Sequence, residues 1–197
     1  MKKRTKSSYG WLARQRRDPF ANRATSRAYF KLEALDRRFR LTNRSLVALE
    51  LGAAPGGWSE YLAPRCRRVV ACDLVSMKAM EGVEFVQGDI RKSSVVQQIF
   101  TILDNQSVDL VLSDMSPHIS GNRLRDQAQS LELIDCALGI ASRCLRPEGR
   151  LVVKMFQGVG FEATIGEMRS RFAKVALAKP PASRNRSREL YAVVNVE

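Results

Sequence analysis

Several charged side chains stand at places where an apolar run of the sequence ends. Asp73 follows RVVAC, Asp89 lies in QGDI, Asp114 lies in SDMSP, and Lys154 closes the run LVVK. In parallel α/β sheets ligands bind at the carboxyl ends of the strands, so side chains at these positions predict a ligand site. Asp73 comes about 20 residues after Gly52, the separation at which a carboxylate accepts hydrogen bonds from ribose hydroxyls.

Each of these side chains also has a simpler interpretation. A single aspartate at such a position is more often a helix cap or a turn residue, but three of them beside a glycine turn favour a ligand site. A lysine at the end of a buried strand loses water, which disfavours its charged form and makes it a candidate base. The alternative for Lys154 is a side chain that extends to the surface. Glu189 either pairs with Arg186 or Arg188 or supports a catalytic lysine.

The elements that must position these groups begin with the stretch LELGAAPGGWSEYL, residues 49–62. Val47 to Leu51 predicts a short apolar strand, Gly52 to Gly57 a turn, and Trp58 to Leu62 the start of a helix. The glycines lack a Cβ, so the backbone can approach a ligand closely, and the helix start presents unpaired N–H groups. The spacing differs from the dinucleotide motif G-x-G-x-x-G. The turn alone fits a nucleotide-like ligand and a simple tight turn equally well.

Strands and helices alternate along the rest of the chain. Helices are predicted over residues 26–39, 94–103, 131–145 and 161–172, and further strands over 68–74, 83–86, 108–113, 150–155, 175–179 and 189–196. This alternation predicts an α/β fold, with a doubly wound, mostly parallel seven-stranded Rossmann-like sheet and helices on both faces. The loop 180–188 is too short for a crossover helix, so the last two strands must be antiparallel, which predicts one reversed edge strand.

The positive charge is concentrated near the N-terminus. The net charge is +13, and residues 1–44 hold 14 Lys plus Arg against 3 Asp plus Glu, whereas the other 153 residues hold 19 against 17. A basic segment on a near-neutral domain predicts a docking surface for a polyanion, with nucleic acid ahead of an anionic membrane. Residues 1–20 lack the sustained apolar face of a membrane anchor. We therefore expect a basic N-terminal arm at 1–22 and one domain at 23–197.

Other residue types exclude several classes of protein. The sequence has no apolar h-region and no run of about 18 apolar residues, so we expect a cytoplasmic protein without a membrane span. The four cysteines lack C-x-x-C spacing and His118 is the only histidine, so no metal site is expected. The aromatic residues of the arm, Tyr9, Trp11 and Phe20, either stack on RNA bases or pack on the domain.

Seven short motifs follow one another along the chain. They are SRAYFKL (26–32), LGAAPGGWS (51–59), ACDL (71–74), QGDI (87–90), SDMSP (113–117), KMFQG (154–158) and SRNRSRELY (183–191). The same motifs occur in this order in the FtsJ/RrmJ family, which the chain resembles from about residue 23 to its C-terminus. That family comprises S-adenosylmethionine-dependent RNA ribose 2'-O-methyltransferases. The chain is most similar to the bacterial members, which methylate a uridine of 23S, large-subunit, ribosomal RNA.

The resemblance implies roles for individual residues. Four residues match the catalytic K-D-K-E tetrad of that family: Lys31, Asp114, Lys154 and Glu189. Within it, Lys154 takes the position of the proton acceptor. Five residues match contacts of that family to its cofactor, S-adenosylmethionine: Gly56, Trp58, Asp73, Asp89 and Asp114. Gly52, in the same turn as Gly56, is a further candidate for cofactor binding. His118 stands where asparagine is expected, which bears on contacts with the target loop.

The resemblance implies a class I methyltransferase that acts on ribosomal RNA of the large subunit, and we expect a monomer. A tRNA 2'-O-methyltransferase of the same family is one alternative. A non-catalytic RNA-binding assembly factor is another, although such a protein has no reason to keep the tetrad. A nicotinamide-dependent oxidoreductase is disfavoured because the turn lacks the pyrophosphate-binding spacing.

Overall fold

The fold is built on one sheet of seven strands. The computed structural model describes residues 23–184 and 187–195. The strands are β1 (Val47–Leu51), β2 (Arg68–Asp73), β3 (Val83–Gln87), β4 (Val108–Ser113), β5 (Leu145–Phe156), β6 (Lys174–Ala178) and β7 (Glu189–Asn195). They lie in the order β3-β2-β1-β4-β5-β7-β6. The strand order reverses between β1 and β4, so the carboxyl ends of these two strands border the crevice in which such sheets bind ligands.

The reversed strand is β7. Strands β1 to β5 pair in parallel, whereas β7 runs antiparallel to both β5 and β6. The predicted doubly wound sheet with one reversed strand at this end is therefore confirmed. The structure refines the position of that strand: β7 lies between β5 and β6, and β6 forms the edge. After β5 the chain first forms the edge strand β6 and then returns as β7, which pairs with both β5 and β6.

Each face of the sheet has its own apolar core. The helices are α1 (Ala28–Phe39), α2 (Gly57–Leu62), α3 (Ser93–Ile102), α4 (Arg123–Cys144) and α5 (Phe161–Arg171). Helices α1 and α2 bury Leu32, Leu35 and Leu62 on one face. Helices α3, α4 and α5 pack on the other. None of the helices in the described part of the chain is both long and apolar enough to cross a membrane.

Two element boundaries differ clearly from those predicted. Helix α4 begins at Arg123 and not at Leu131. The side chain of Asn122 caps it by accepting hydrogen bonds from the backbone N–H groups of Leu124 and Arg125, both at 3.1 Å. The first two turns expose mostly polar side chains to solvent, so they carry no apolar stripe that periodicity could detect.

Strand β5 also begins earlier than predicted, at Leu145 and not at Arg150. Residues 146–149 have the sequence RPEG, which is typical of a turn that closes a helix. They bulge out of the sheet instead, since the β4–β5 register shifts between Val108 and Leu110 and Glu148 has a positive φ of 63°. A bulge preserves strand pairing on both sides of the extra residues, which a pattern of turn residues does not reveal.

A buried carboxyl group links β1 to α2 beneath the glycine turn. Glu50 is 1% exposed, and the hydroxyl of Ser59 donates a hydrogen bond to its Oε2 at 2.5 Å. Burial, helped by the negative charges of Asp114 and Asp73, raises the pKa of Glu50 from 4.5 to about 8. The folded chain therefore carries Glu50 mainly as a neutral acid at pH 7.

This buried acid makes stability depend on pH. Between pH 4.5 and about 8 the unfolded chain ionises Glu50 while the folded chain keeps it protonated, so the unfolding free energy falls as the pH rises. Glu50→Gln keeps the shape and the Ser59 hydrogen bond but removes the titration. We expect the natural chain to lose stability relative to this variant from pH 5 to pH 8, by on the order of 5 kcal/mol at most. Urea unfolding at several pH values measures the difference, and parallel profiles would contradict the assignment.

Candidate active site

The glycine turn after β1 packs directly against the segment that follows β4. Gly52 has a φ of 81°, and a Cβ on it would lie 2.8 Å from the backbone nitrogen of Met115. The backbone N–H of Asp114 donates to the carbonyl of Leu51 at 3.0 Å. A side chain at Gly52 would force these two segments apart, so glycine is required for both its backbone conformation and its lack of a Cβ.

Asp73, at the end of β2, holds this turn in place. Its carboxylate accepts hydrogen bonds from the backbone N–H groups of Ala54 and Val75, both at 2.8 Å. The N–H of Gly52 donates to the carbonyl of Cys72, also at 2.8 Å. The loops after β1 and β2 are therefore fixed against each other by this carboxylate and by a backbone hydrogen bond.

A cavity of about 240 Å³ opens beside the turn. Its walls come from the carboxyl ends of the first four strands and from α4, and they include Gly52, Asp73 and Asp89. Three of the predicted cofactor residues are thus brought together. Leu74 and Ile90 add apolar surface to a small number of polar groups, which is the usual composition of a site for a small organic ligand.

Asp89 lies at the rim of this cavity and is paired with Arg91. The guanidinium donates from Nε and Nη2 to the two carboxylate oxygens at 2.9 and 2.8 Å. These hydrogen bonds lower the pKa of Asp89 and keep it ionised as an acceptor. The Arg91 side chain is 45% exposed, so it can leave the carboxylate at little cost when a ligand offers N–H donors.

Lys154 lies buried at the carboxyl end of β5, with 7% of its surface exposed. Its ammonium donates to the carbonyl oxygen of Asp114 at 2.5 Å, and Nζ lies 3.1 Å from the Oδ1 of the same residue. The alternative in which Lys154 extends to the surface is excluded. A charge in this position requires such a partner, because an unpaired buried ammonium is very unfavourable.

A second buried ion pair lies close by. Lys31, from α1, places Nζ 2.7 Å from the Oε1 of Glu189 at the start of β7, and the two side chains are 12% and 11% exposed. Of the interpretations left open for Glu189, the lysine partner is the one observed, although the partner is Lys31 and not Lys154. Arg186 lies outside the described residues.

Tyr191 joins the two ion pairs. Its hydroxyl donates to Asp114 Oδ1 at 2.6 Å and accepts from the ammonium of Lys31 at 3.4 Å. Burial, together with the charges of Asp114 and Glu189, raises the pKa of Tyr191 well above its ordinary value, so the side chain acts as a neutral phenol. We refer to Lys31, Asp114, Lys154, Glu189 and Tyr191 as the lysine–carboxylate array. Its formal charges balance, with two ammonium groups facing two carboxylates.

Tyr191 is not among the predicted site residues, although the sequence holds a signal for it. Glu189 and Tyr191 are two residues apart on one strand, so their side chains point to the same face of the sheet. In the structure Tyr191 lies directly opposite Lys154 in the antiparallel β5–β7 pair. The sequence does not reveal that β7 pairs with β5, and Tyr191 lies opposite Lys154 only in that pairing.

Other predicted cofactor residues lie away from the cavity walls. Trp58 is 1% exposed and donates its indole N–H to the carbonyl of Ala28 at 2.8 Å, and its ring contacts Tyr191 at a centroid distance of 5.7 Å. The structure therefore assigns the Trp58 side chain to helix packing. Gly56 caps α2 beside Met77 and Met80. The carboxylate of Asp114 belongs to the lysine–carboxylate array.

No group of three or more His, Cys, Asp or Glu side chains that could hold a metal ion occurs among residues 23–184 and 187–195. All four cysteines are free thiols, and three of them are buried.

The family model for FtsJ-like methyltransferases matches residues 24–196. The chain belongs to the FtsJ-like methyltransferase family. It is 44% identical over 201 residues to ribosomal RNA large subunit methyltransferase E of Xanthomonas oryzae pv. oryzae, with 98% of this chain and 96% of that protein covered. The enzyme class expected from the seven motifs is thus confirmed.

Solved structures agree with this family. A protein described as a ribosomal RNA methyltransferase from Plasmodium falciparum superposes with a TM-score of 0.77 at 25% identity, covering 87% of this chain and 97% of that one. A Streptococcus mutans structure described as a methyltransferase in complex with SAH gives a TM-score of 0.50 at 12% identity, covering 86% and 93%. At that identity the likeness concerns the fold alone, which this FtsJ-like methyltransferase shares.

The bridging role of Tyr191 can be tested by removing its hydroxyl. Tyr191→Phe breaks the link between Lys31 and Asp114 but keeps the ring, so we expect kcat for methyl transfer to fall about 10-fold, the value of one hydrogen bond. Tyr61→Phe is a matched control, because Tyr61 is also buried and donates its hydroxyl to Asp36 at 2.8 Å, outside the array. Both variants should lose similar stability. Equal kcat values for the two would show that Tyr191 is only a packing residue.

Proposed function

We propose that this FtsJ-like methyltransferase transfers the methyl group of S-adenosylmethionine to a ribose 2'-hydroxyl, that of a uridine in 23S ribosomal RNA of the large subunit. The observation that carries the proposal is Lys154, a buried lysine held by Asp114 at the carboxyl end of β4. Asp114 directly precedes Met115, which lines the cavity, so a group able to act on a hydroxyl lies beside a site for a small ligand. The relatives named for ribosomal RNA support the substrate class.

The residues of the cavity fit S-adenosylmethionine. Asp73 presents a fixed carboxylate for ribose hydroxyls, and the ionised carboxylate of Asp89 can accept from the exocyclic amine of adenine. Gly52 leaves space for close backbone contact with uncharged parts of the cofactor. S-adenosylmethionine, when bound, supplies a methyl group already activated on a sulfonium. The main task of the protein is therefore to place the 2'-oxygen in line with that methyl group.

Lys154 acts on the 2'-hydroxyl as a general base. The ammonium of the Lys154–Asp114 ion pair has first to release a proton. In the resulting amine form Lys154 accepts the proton of the hydroxyl as the oxygen becomes a nucleophile, and it becomes an ammonium again. The Asp114 carboxylate, whose Oδ1 lies 3.1 Å from Nζ, stabilises this new positive charge. The aspartate of a Ser-His-Asp triad stabilises a protonated histidine in the same way. Three N–H donors are available on an ammonium, and the carbonyl oxygen of Asp114 accepts from one of them.

The rest of the array holds the reacting groups in position. Tyr191 fixes the carboxylate of Asp114, and Glu189 fixes the ammonium of Lys31. Lys31 thereby offers a positioned cation to the target nucleotide on the other side of the array from Lys154. Because DNA lacks the 2'-hydroxyl, a site built around this atom acts on RNA and not on DNA.

Substitution of Lys154 tests the catalytic role. Lys154→Ala removes the base, so we expect methyl transfer to fall by at least about 100-fold, the usual share of general base catalysis, while cofactor binding is retained. Lys154→Arg is the matched variant, because arginine keeps the positive charge and cannot accept a proton at neutral pH. Single-turnover rates and cofactor affinity by calorimetry separate the outcomes. If Lys154→Arg is active, a positive charge at this position is sufficient and no proton acceptor is needed there. If Lys154→Ala retains turnover, Lys154 takes no part in the chemical step.

The target nucleotide distinguishes the proposed function from its alternatives. Total RNA from cells with and without this chain is digested and scanned for 2'-O-methylated positions. Loss of a methylated position from large-subunit ribosomal RNA supports the proposal, and loss of one from tRNA supports the tRNA methyltransferase. If the purified protein binds ribosomal RNA but methylates none, the assembly-factor alternative is correct.

We further propose a division into a basic arm, residues 1–22, and a methyltransferase domain, residues 23–197, acting as a monomer in the cytoplasm where bacterial ribosomes assemble. The arm lies outside the described residues, together with Tyr9, Trp11 and Phe20. The concentration of positive charge in the first part of the sequence supports a role for it in RNA binding.

The arm can be tested by substitution of its first basic residues. Replacing Lys2, Lys3, Arg4 and Lys6 with alanine removes four positive charges from the sequence. We expect weaker binding to ribosomal RNA and a flatter salt dependence, by about 0.7 in slope for each phosphate of a single strand that the arm no longer neutralises. Binding titrations at several salt concentrations measure both quantities. Unchanged affinity and slope would make the arm a solubility segment.

A further inference from the structure

A second concave surface lies beside α1 and forms a groove of about 890 Å³. We call it the α1 groove. One wall consists of Arg23 and of side chains between residues 29 and 38, and the other consists of residues 178–182, from the end of β6 into the loop before β7. The groove shares no lining residue with the cofactor cavity.

The charge of the groove is strongly positive. Four cationic side chains line it, namely Arg23, Arg37, Arg38 and Lys179. Glu33 is the acidic side chain of the lining, and it lies 3.2 Å from Arg37, whose side chain is 77% exposed. A concave surface with this excess of positive charge attracts a polyanion.

The groove adjoins the lysine–carboxylate array. Lys31 lies on the same helix, between the groove residues Phe30 and Glu33. Across the groove, Ala178 pairs in register with Tyr191 of the array. The groove and the array are therefore neighbours along α1 and across the β6–β7 pair.

The groove also offers rings and flat apolar surface. Tyr29 and Phe30 pack edge to face at a centroid distance of 5.2 Å on one wall, and Pro180 and Pro181 lie on the other. Cationic side chains interleaved with aromatic rings are the features that bind the phosphates and the bases of a single strand.

We propose that the α1 groove holds the single-stranded RNA that flanks the target nucleotide. The inference rests on the proposed function, because it takes the substrate to be RNA. It assigns separate tasks to two parts of α1: Lys31 positions the target nucleotide, and Arg37 and Arg38 hold the backbone of its neighbours. Substrate affinity is then set in part outside the array.

A pair of double variants tests this assignment. Arg37→Glu/Arg38→Glu reverses two charges of the groove. Arg169→Glu/Arg171→Glu is closely matched, since these arginines also lie in the last turn of a helix, α5, and Arg171 pairs with Glu167 at 3.1 Å as Arg37 pairs with Glu33. Helix α5 packs on the other face of the sheet. The two variants change the net charge equally.

The first measurement is binding of a fluorescein-labelled 12-nucleotide single-stranded oligouridylate, followed by anisotropy at several salt concentrations. We expect Arg37→Glu/Arg38→Glu to raise Kd at least about 10-fold and to lower the salt slope by about 1.4, for two phosphate contacts. The control variant should change Kd less than about 2-fold. Equal effects of the two variants would show a general charge effect and overturn the proposal.

A second variant blocks the groove without changing charge. Ala34 lines the groove and is half-buried, so Ala34→Trp fills it with a large ring. We expect weaker binding of the oligouridylate, with the unfolding transition checked by circular dichroism. A folded Ala34→Trp that binds as tightly as the natural chain would show that RNA does not enter the groove.

Methylation kinetics separate this proposal from the proposed function. With unmethylated, protein-free 23S ribosomal RNA, Arg37→Glu/Arg38→Glu should raise KM about 10-fold and leave kcat largely intact. If the natural chain methylates RNA and KM is unchanged in the variant, the groove proposal fails and the proposed function stands. A KM raised only with assembled subunits would identify the groove as a contact for a ribosomal protein, which also overturns the proposal. If the natural chain methylates no RNA, the proposed function itself fails.

Discussion

The buried ion pair between Lys154 and Asp114 is the constraint on which the active site depends. Two opposite charges removed from water are tolerated only when they meet in good geometry and their remaining hydrogen bonds are satisfied. Here the parallel pairing of β4 with β5 sets Ser113 opposite Val153, so the residues that follow each of them emerge side by side. The sheet therefore fixes the distance between Lys154 and the Asp114 carboxylate before any ligand binds. Tyr191 completes the arrangement from β7.

The same segment connects the array to the cofactor cavity. Asp114 gives its side chain to the array and its backbone N–H to Leu51, and Met115 packs on Gly52 and lines the cavity. These contacts leave no room for one segment to move without the other, because a packed interior transmits displacement instead of absorbing it. The cavity wall and the Lys154–Asp114 pair are thus positioned by one short stretch of chain. This explains why a turn without side chains is needed at Gly52.

The sequence predicts the local parts of this structure well and the contacts between distant parts less well. The strands, the glycine turn and the acids at the strand ends follow from patterns within about 20 residues, and all of them occur in the structure. Tyr191 is not predicted from the sequence, because its role depends on which strand lies beside β5. For Trp58 the motif leaves both a cofactor contact and helix packing open, and the structure adds a hydrogen bond from its indole N–H to the carbonyl of Ala28, distant in sequence. The start of α4 was missed because exposed helical turns carry no apolar period.

Helix α1 is held to the sheet by contacts that are unrelated to catalysis. Asp36 accepts hydrogen bonds from Tyr61 and from Thr42, and Arg150 donates to the carbonyl of Arg40 at 2.9 Å. These bonds, with the buried leucines of the helix, leave α1 one orientation on the sheet. Lys31 and the cationic wall of the α1 groove are consequently fixed relative to each other and to Lys154. Under the groove proposal, a strand bound along α1 would lie at a set distance from Lys154, because the helix is held rigidly to the sheet.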